Sequence, residues 1–127
     1  MNNTAIYFKE KTMASFIEKA RQRKGFICFG AGGFAVQTIE TVFSPNSITP
    51  MYFVDNDISK HGKDICGYDI KSPNALFREN NSIILISTLS PLGVKEQLDE
   101  MGDFDIYASC FFFETFMGKY YRNISLK

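Results

Sequence analysis

The sequence predicts an α/β fold, a parallel sheet with helices on both faces. Three observations predict it. Short uniformly apolar runs, "FICF" and "SIILIS", have the composition of strands buried on both sides. Between such runs stand segments whose apolar residues recur at helical spacing. The two kinds of segment alternate along the chain, as βαβ units require.

The elements follow in order. Met13, Phe16, Ile17 and Ala20 make one apolar stripe, with Lys and Arg opposite, so a lead-in helix is predicted over about 11–24, stopped by Gly25. The core, 25–108, opens with strand 26–29. Ala35, Val36, Ile39, Val42 and Phe43 then mark a helix that Ser44-Pro45 is expected to end. "PMYFV" (50–54) is the second strand, and it delivers Asp55-Asn56-Asp57 at its tip. A turn leads to a third strand at Tyr68–Lys71. Ser72-Pro73 is a cap-and-proline helix start. The fourth strand is 82–87, and Ser90-Pro91 repeats the device before "LGVKEQLDEMG". The fifth is "FDIYA" (104–108), and a final helix is expected over about 109–122. Right-handed crossovers then give a Rossmann-like three-layer sandwich, with about five parallel strands in the order 3-2-1-4-5. Ligands of such sheets bind where the strand order reverses, here between Gly30 and Ser87.

At 127 residues the chain is read as one domain, 1–127. Fourteen basic residues balance fourteen acidic ones, which leaves no basic field for nucleic acid or an anionic membrane. No apolar run suits a membrane span, and the first residues lack the layout of a secretory signal. Cys28, Cys66 and Cys110 have no paired spacing and read as reduced thiols of a cytoplasmic protein. With His61 the sole histidine, no zinc or other metal site is expected.

Gly30, Gly32 and Ala35 fit G-x-G-x-x-[GA] between a strand and a helix. The first glycine suits a tight turn, the second the approach of a pyrophosphate, and the small third residue close helix–strand packing. The candidate binding residues are therefore Gly30, Ala31, Gly32, Gly33 and Phe34, whose amides at the helix start would hold a phosphate. Asp55, 22 residues past Gly33, stands near the position of a ribose-accepting carboxylate, with Asn56 beside it. Asp55 would repel a 2′-phosphate, which favours NAD over NADP. Ser87 and Thr88 border the same point from the fourth strand, and Ser90 is read as a helix cap.

"FICFGAGGFAVQTIE", "YFVDNDISKHGKDICGYDIKSP" and "SIILISTLSP" together resemble Rossmann-like domains of bacterial surface-polysaccharide biosynthesis. Similar domains form the amino-terminal part of sialic-acid O-acetyltransferase-like sugar acyltransferases, where they hold the nucleotide-sugar. They also precede the catalytic domain of polysaccharide-biosynthesis dehydratases and epimerases, where they look like NAD-type folds. The resemblance covers roughly residues 24–108 and implies a nucleotide ligand, NAD or a UDP-type nucleotide-sugar. Two departures stand out. Phe34 replaces the histidine usual in the acetyltransferase-like proteins, and the sequence holds no hexapeptide repeat, so acyl transfer by this chain alone is not expected.

No catalytic residue is identified. His61 reads as a solvated loop residue without a dyad partner. Tyr7 and Lys11 have the Tyr-x-x-x-Lys spacing of short-chain dehydrogenases, but they precede the first strand. Phe111, Phe112, Phe113, Phe116, Met117, Tyr120 and Tyr121 are too apolar for one stripe. The 109–122 segment is therefore expected to pack on the sheet and also on a second subunit or an adjoining domain. The functional alternatives are a ligand-free assembly domain and a small NAD-dependent oxidoreductase completed by a partner.

Overall fold

The computed structural model describes residues 6–23 and 25–113. Its framework is a mixed α/β sheet of six strands in the order β3-β4-β2-β1-β5-β6. β1 (Ile27–Phe29) lies between β2 (Phe53–Val54) and β5 (Ile83–Ile86), with Cys28 opposite both Phe53 and Leu85. β4 (Tyr68–Lys71) pairs with β2, and β6 (Asp105–Ala108) with β5, all in parallel.

The sixth strand departs from the expected five-stranded sheet. β3 (Asp64–Ile65) folds back antiparallel on β4 through the two-residue turn Cys66-Gly67. Both turn residues have positive φ, 50° and 87°, the backbone of a type I′ hairpin. The segment read as a plain turn thus supplies an edge strand.

Strand alternation splits the core into two layers. Phe26, Cys28, Phe53, Leu85 and Tyr107 face α1 (Met13–Gln22) and α2 (Gly33–Thr38). Ile27, Phe29, Val54, Ile84 and Ile106 face the other way, toward Leu76 and toward Leu98 of α3 (Pro91–Met101). Helices on opposite faces for β1→β2 and β5→β6 are what right-handed crossovers running outward from β1 and β5 produce.

Several local expectations are corrected. α1 begins at Met13, capped by the Thr12 hydroxyl, and ends at Gln22, inside the predicted 11–24. Pro45 does not end the second helix. α2 runs on through a π-helical turn, Ile39–Phe43, into Ser44–Asn46, and Ser47 at φ 54° closes it. The widened turn has already broken the i→i−4 ladder, so the missing proline N–H costs little there. Pro73–Arg78 is a 3₁₀ segment, capped by the Ser72 hydroxyl as anticipated. Ser90 makes no side-chain cap to α3. After β6 the chain forms a 3₁₀ turn, Ser109–Phe111, where a helix was expected. Its tighter winding sends Phe111 into one core layer and Phe112 and Phe113 toward the other. The rest of the predicted 109–122 helix lies outside the described residues. No helix among the described residues is long and apolar enough to cross a membrane.

Candidate functional site

The residues singled out in the sequence meet at the carboxyl ends of β1, β2 and β5. The chain leaves β1 at Gly30, whose φ of +116° suits glycine alone. A Cβ there would collide with the Thr88 methyl and lie 3.1 Å from the Ser87 carbonyl oxygen. Gly30 is also held on both sides. Its N–H donates to Val54 O at 2.8 Å, and its carbonyl accepts the Ser87 hydroxyl at 2.6 Å. Ser87 is buried and its hydroxyl also reaches Phe29 O at 3.2 Å, so it ties β5 to β1. Thr88 is different: its Oγ1 is buried and has no hydrogen-bond partner among the described residues.

Gly32 and Gly33 contrast with Gly30. Both are exposed, and neither has a φ that excludes other residues. A Cβ on Gly33 would meet nothing within 4 Å, and one on Gly32 only Lys60 Nζ at 3.8 Å. Their amides have no partner among the described residues, whereas the Gly32 carbonyl accepts the amides of Ala35 and Val36 and starts the helix. Phe34, next in line, packs against the core layer that contains Phe29 and Leu98.

Asp55 closes the turn from β2. Its Oδ2 accepts the Ala31 amide at 2.8 Å, and its Oδ1 accepts the Asp57 amide at 2.8 Å. Asp57 in turn accepts the Ser59 amide and hydroxyl, and those two bonds hold its carboxyl below the usual carboxylate range. This Asx turn starts the 3₁₀ segment Ile58–Lys60 and brings Lys60 over the glycines. Lys60 Nζ lies 3.8 Å from Asp55 Oδ2 and 3.5 Å from Ala31 O. His61, expected in solvent, is half-buried with Nε2 2.6 Å from the Asp55 carbonyl oxygen. Asn56 points away from the turn and forms a doubly hydrogen-bonded amide pair with Gln97 of α3, at 2.9 and 3.0 Å.

A cleft of about 960 Å³ opens elsewhere, at the amino end of β6, between Tyr7, Lys19, Arg23, Asp99 and Phe104. Asp105 sits there under three cations, Lys11 at 2.8 Å, Lys19 at 3.0 Å and Arg23 at 3.6 Å. Burial alone would raise its carboxyl, but hydrogen bonds from Lys11 and Lys19 hold it below the usual range. The three ion pairs share one carboxylate and pin α1 to the sheet. Tyr7 and Lys11 belong to this cluster, with Nζ 4.6 Å from the ring centre, at the opposite end of the sheet from the glycines. Cys28 and Cys110 are buried, and burial pushes the Cys110 thiol up to about 12. Cys66 is exposed in the hairpin turn.

The sequence singled out the glycine turn, Asp55 and Thr88, which the structure brings together. It did not single out Lys60 as a candidate, and an Asx turn after β2 brings it there. Comparison with protein-family models, with curated proteins and with solved structures finds no match.

Proposed function

We propose that the protein is a Rossmann-like nucleotide-binding domain that seats a phosphate of NAD or of a nucleotide-sugar on the Gly32-Gly33 turn. One observation carries the reading. Packing and backbone conformation demand a glycine at position 30, but neither demands one at 32 or 33, whose amides have no partner among the described residues. Glycines kept without a structural need, at the start of a helical run that continues to Asn46, suit close approach by an anion. The position supports the same reading. β1 has β2 on one side and β5 on the other, so the chain diverges to both sides of this turn. The Thr88 side chain lies next to Gly30, and its buried hydroxyl, without a partner among the described residues, is a further polar group at this point. A role in surface-sugar biosynthesis accords with the sequence resemblance and rests on that alone.

The test is thermal unfolding with NAD, NADP, UDP, UDP-sugars and coenzyme A. A ligand at 100 times its dissociation constant adds about 2.7 kcal/mol, several degrees for a domain of this size. NAD or a UDP-sugar is expected to raise the midpoint, and at the same ligand concentration the rise is expected to fall to about half in Gly33→Ala. Asp55→Ala is a poor control because it also removes the acceptor of the Ala31 amide. No rise with any of these ligands would count against the proposal and favour an assembly role.

A further inference from the structure

Asp55 is the residue a dinucleotide site would use to accept both ribose hydroxyls. Its geometry serves a different purpose. Each carboxylate oxygen already takes a backbone amide at 2.8 Å, one from Ala31 in the glycine turn and one from Asp57 in its own loop. The carboxylate therefore sets the shape of the turn.

Lys60 is in the opposite condition. Its contacts, 3.5 Å to Ala31 O and 3.8 Å to Asp55 Oδ2, lie at or beyond the outer limit of an N–H···O bond. An ammonium carries three donors, and none of these contacts is short. The side chain is about a third exposed, at 35%, and its Nζ lies 3.8 Å from a Cβ position on Gly32. Two separate segments, the start of α2 and the 3₁₀ turn after β2, thus bring underused donors to one spot.

We infer that Lys60 is the residue that reads the charge of the bound phosphate, with Asp55 holding the turn. This rests on the reading of the turn as a phosphate site and goes beyond it. Affinity then follows phosphate charge and is indifferent to the ribose diol that Asp55 would otherwise select.

The experiment is calorimetric titration of the full chain with ADP, UDP, their 2′-deoxy counterparts and inorganic pyrophosphate, at low and high salt. Wild type is expected to bind at least one diphosphate, and the matching deoxy compound within about twofold. Lys60→Gln is expected to weaken that binding about tenfold or more and to flatten its salt dependence, as loss of a charge-assisted contact does. Lys60→Arg is expected to restore most of it, and the unfolding midpoint without ligand is expected to stay unchanged in both variants. Wild-type binding that Lys60→Gln leaves intact, or that falls tenfold on removing the 2′-hydroxyl, overturns this inference while leaving the phosphate site standing. Failure of wild type to bind any of the probes overturns both.

Discussion

The two ends of the sheet treat polar groups in opposite ways. At the amino end of β6, Asp105 accepts hydrogen bonds from Lys11 and Lys19, and Arg23 stands 3.6 Å away. At the carboxyl end of β1, two backbone amides and one buried hydroxyl have no partner among the described residues, and a lysine makes only long contacts. A cleft of about 960 Å³ lies at the first end, and the unpartnered donors lie at the second. Folded chains satisfy their buried polar groups, so the buried Thr88 hydroxyl without a partner among the described residues marks this end more than cavity volume marks the other. The fully paired Asp105 carboxylate is architecture.

The sharpest test of this contrast lies within the glycine turn itself. Gly30→Ala puts a methyl group against Thr88 and Ser87 at a φ of +116°. Strain and overpacking together are expected to cost on the order of 3 kcal/mol, lowering the thermal midpoint by about ten degrees. A midpoint within two degrees or so of wild type would show that the turn is looser than its geometry implies.

At the other end, Asp105→Asn leaves Lys11 and Lys19 without their carboxylate and is expected to cost about 1–3 kcal/mol at neutral pH. The pH dependence follows from the signs. Asp105 is held below its ordinary value, so its contribution is complete above about pH 4 and is lost as pH falls through the lowered value. Lys19 is held above its ordinary value by its hydrogen bond to Asp105. Lys11 is raised as well: burial lowers it most, but Asp105 and Tyr7 together outweigh that. Both contributions persist below about pH 10.4 and fade only beyond it. The gap between wild type and Asp105→Asn, followed by urea unfolding, is therefore expected to be flat from pH 5 to 9 and to close toward pH 2. A gap that stays constant into acid would remove Asp105 from the account.

Much of the fold was legible because burial on both faces leaves a strong mark on a strand. "FICF" and "SIILIS" have it, and Cys28 and Leu85 do lie opposite each other in the sheet. The β3 edge strand was not legible: two residues leave no periodicity, and the turn uses cysteine where asparagine or glycine is usual. The glycine turn was legible as a motif, but not which of its glycines the packing requires. That depends on Thr88, which is 58 residues from Gly30 in sequence and in contact with it in space. The Asp105 cluster was hidden for the same reason, since its partners are 86 and 94 residues away.

Ser87 and Thr88, neighbours at the tip of β5, separate the two behaviours more finely. Ser87→Ala removes a buried hydroxyl that bonds two carbonyls and is expected to cost about 1 kcal/mol whether or not ligand is present. Thr88→Val removes a hydroxyl with no partner and is expected to hold or slightly raise stability without ligand, by up to about 1 kcal/mol. Unfolding curves for the two variants would contradict the assignment if Thr88→Val proved the more destabilising.

The smallest effect on the fold is expected from Gly33→Ala. The new methyl would enter open space, and alanine in place of glycine at a helical position adds up to about 1 kcal/mol by restricting the unfolded chain. A glycine there therefore confers no advantage on the empty protein. If close approach of a phosphate is what it provides, the methyl stands in the ligand's path, and affinity is expected to fall about tenfold, roughly 1.4 kcal/mol, while stability holds or rises. Stability and binding would then move in opposite directions in one variant, which a purely structural glycine cannot produce. Equal binding by Gly33→Ala and wild type would place the ligand away from this turn, and a fall in stability would show that Gly33 serves the fold as Gly30 does.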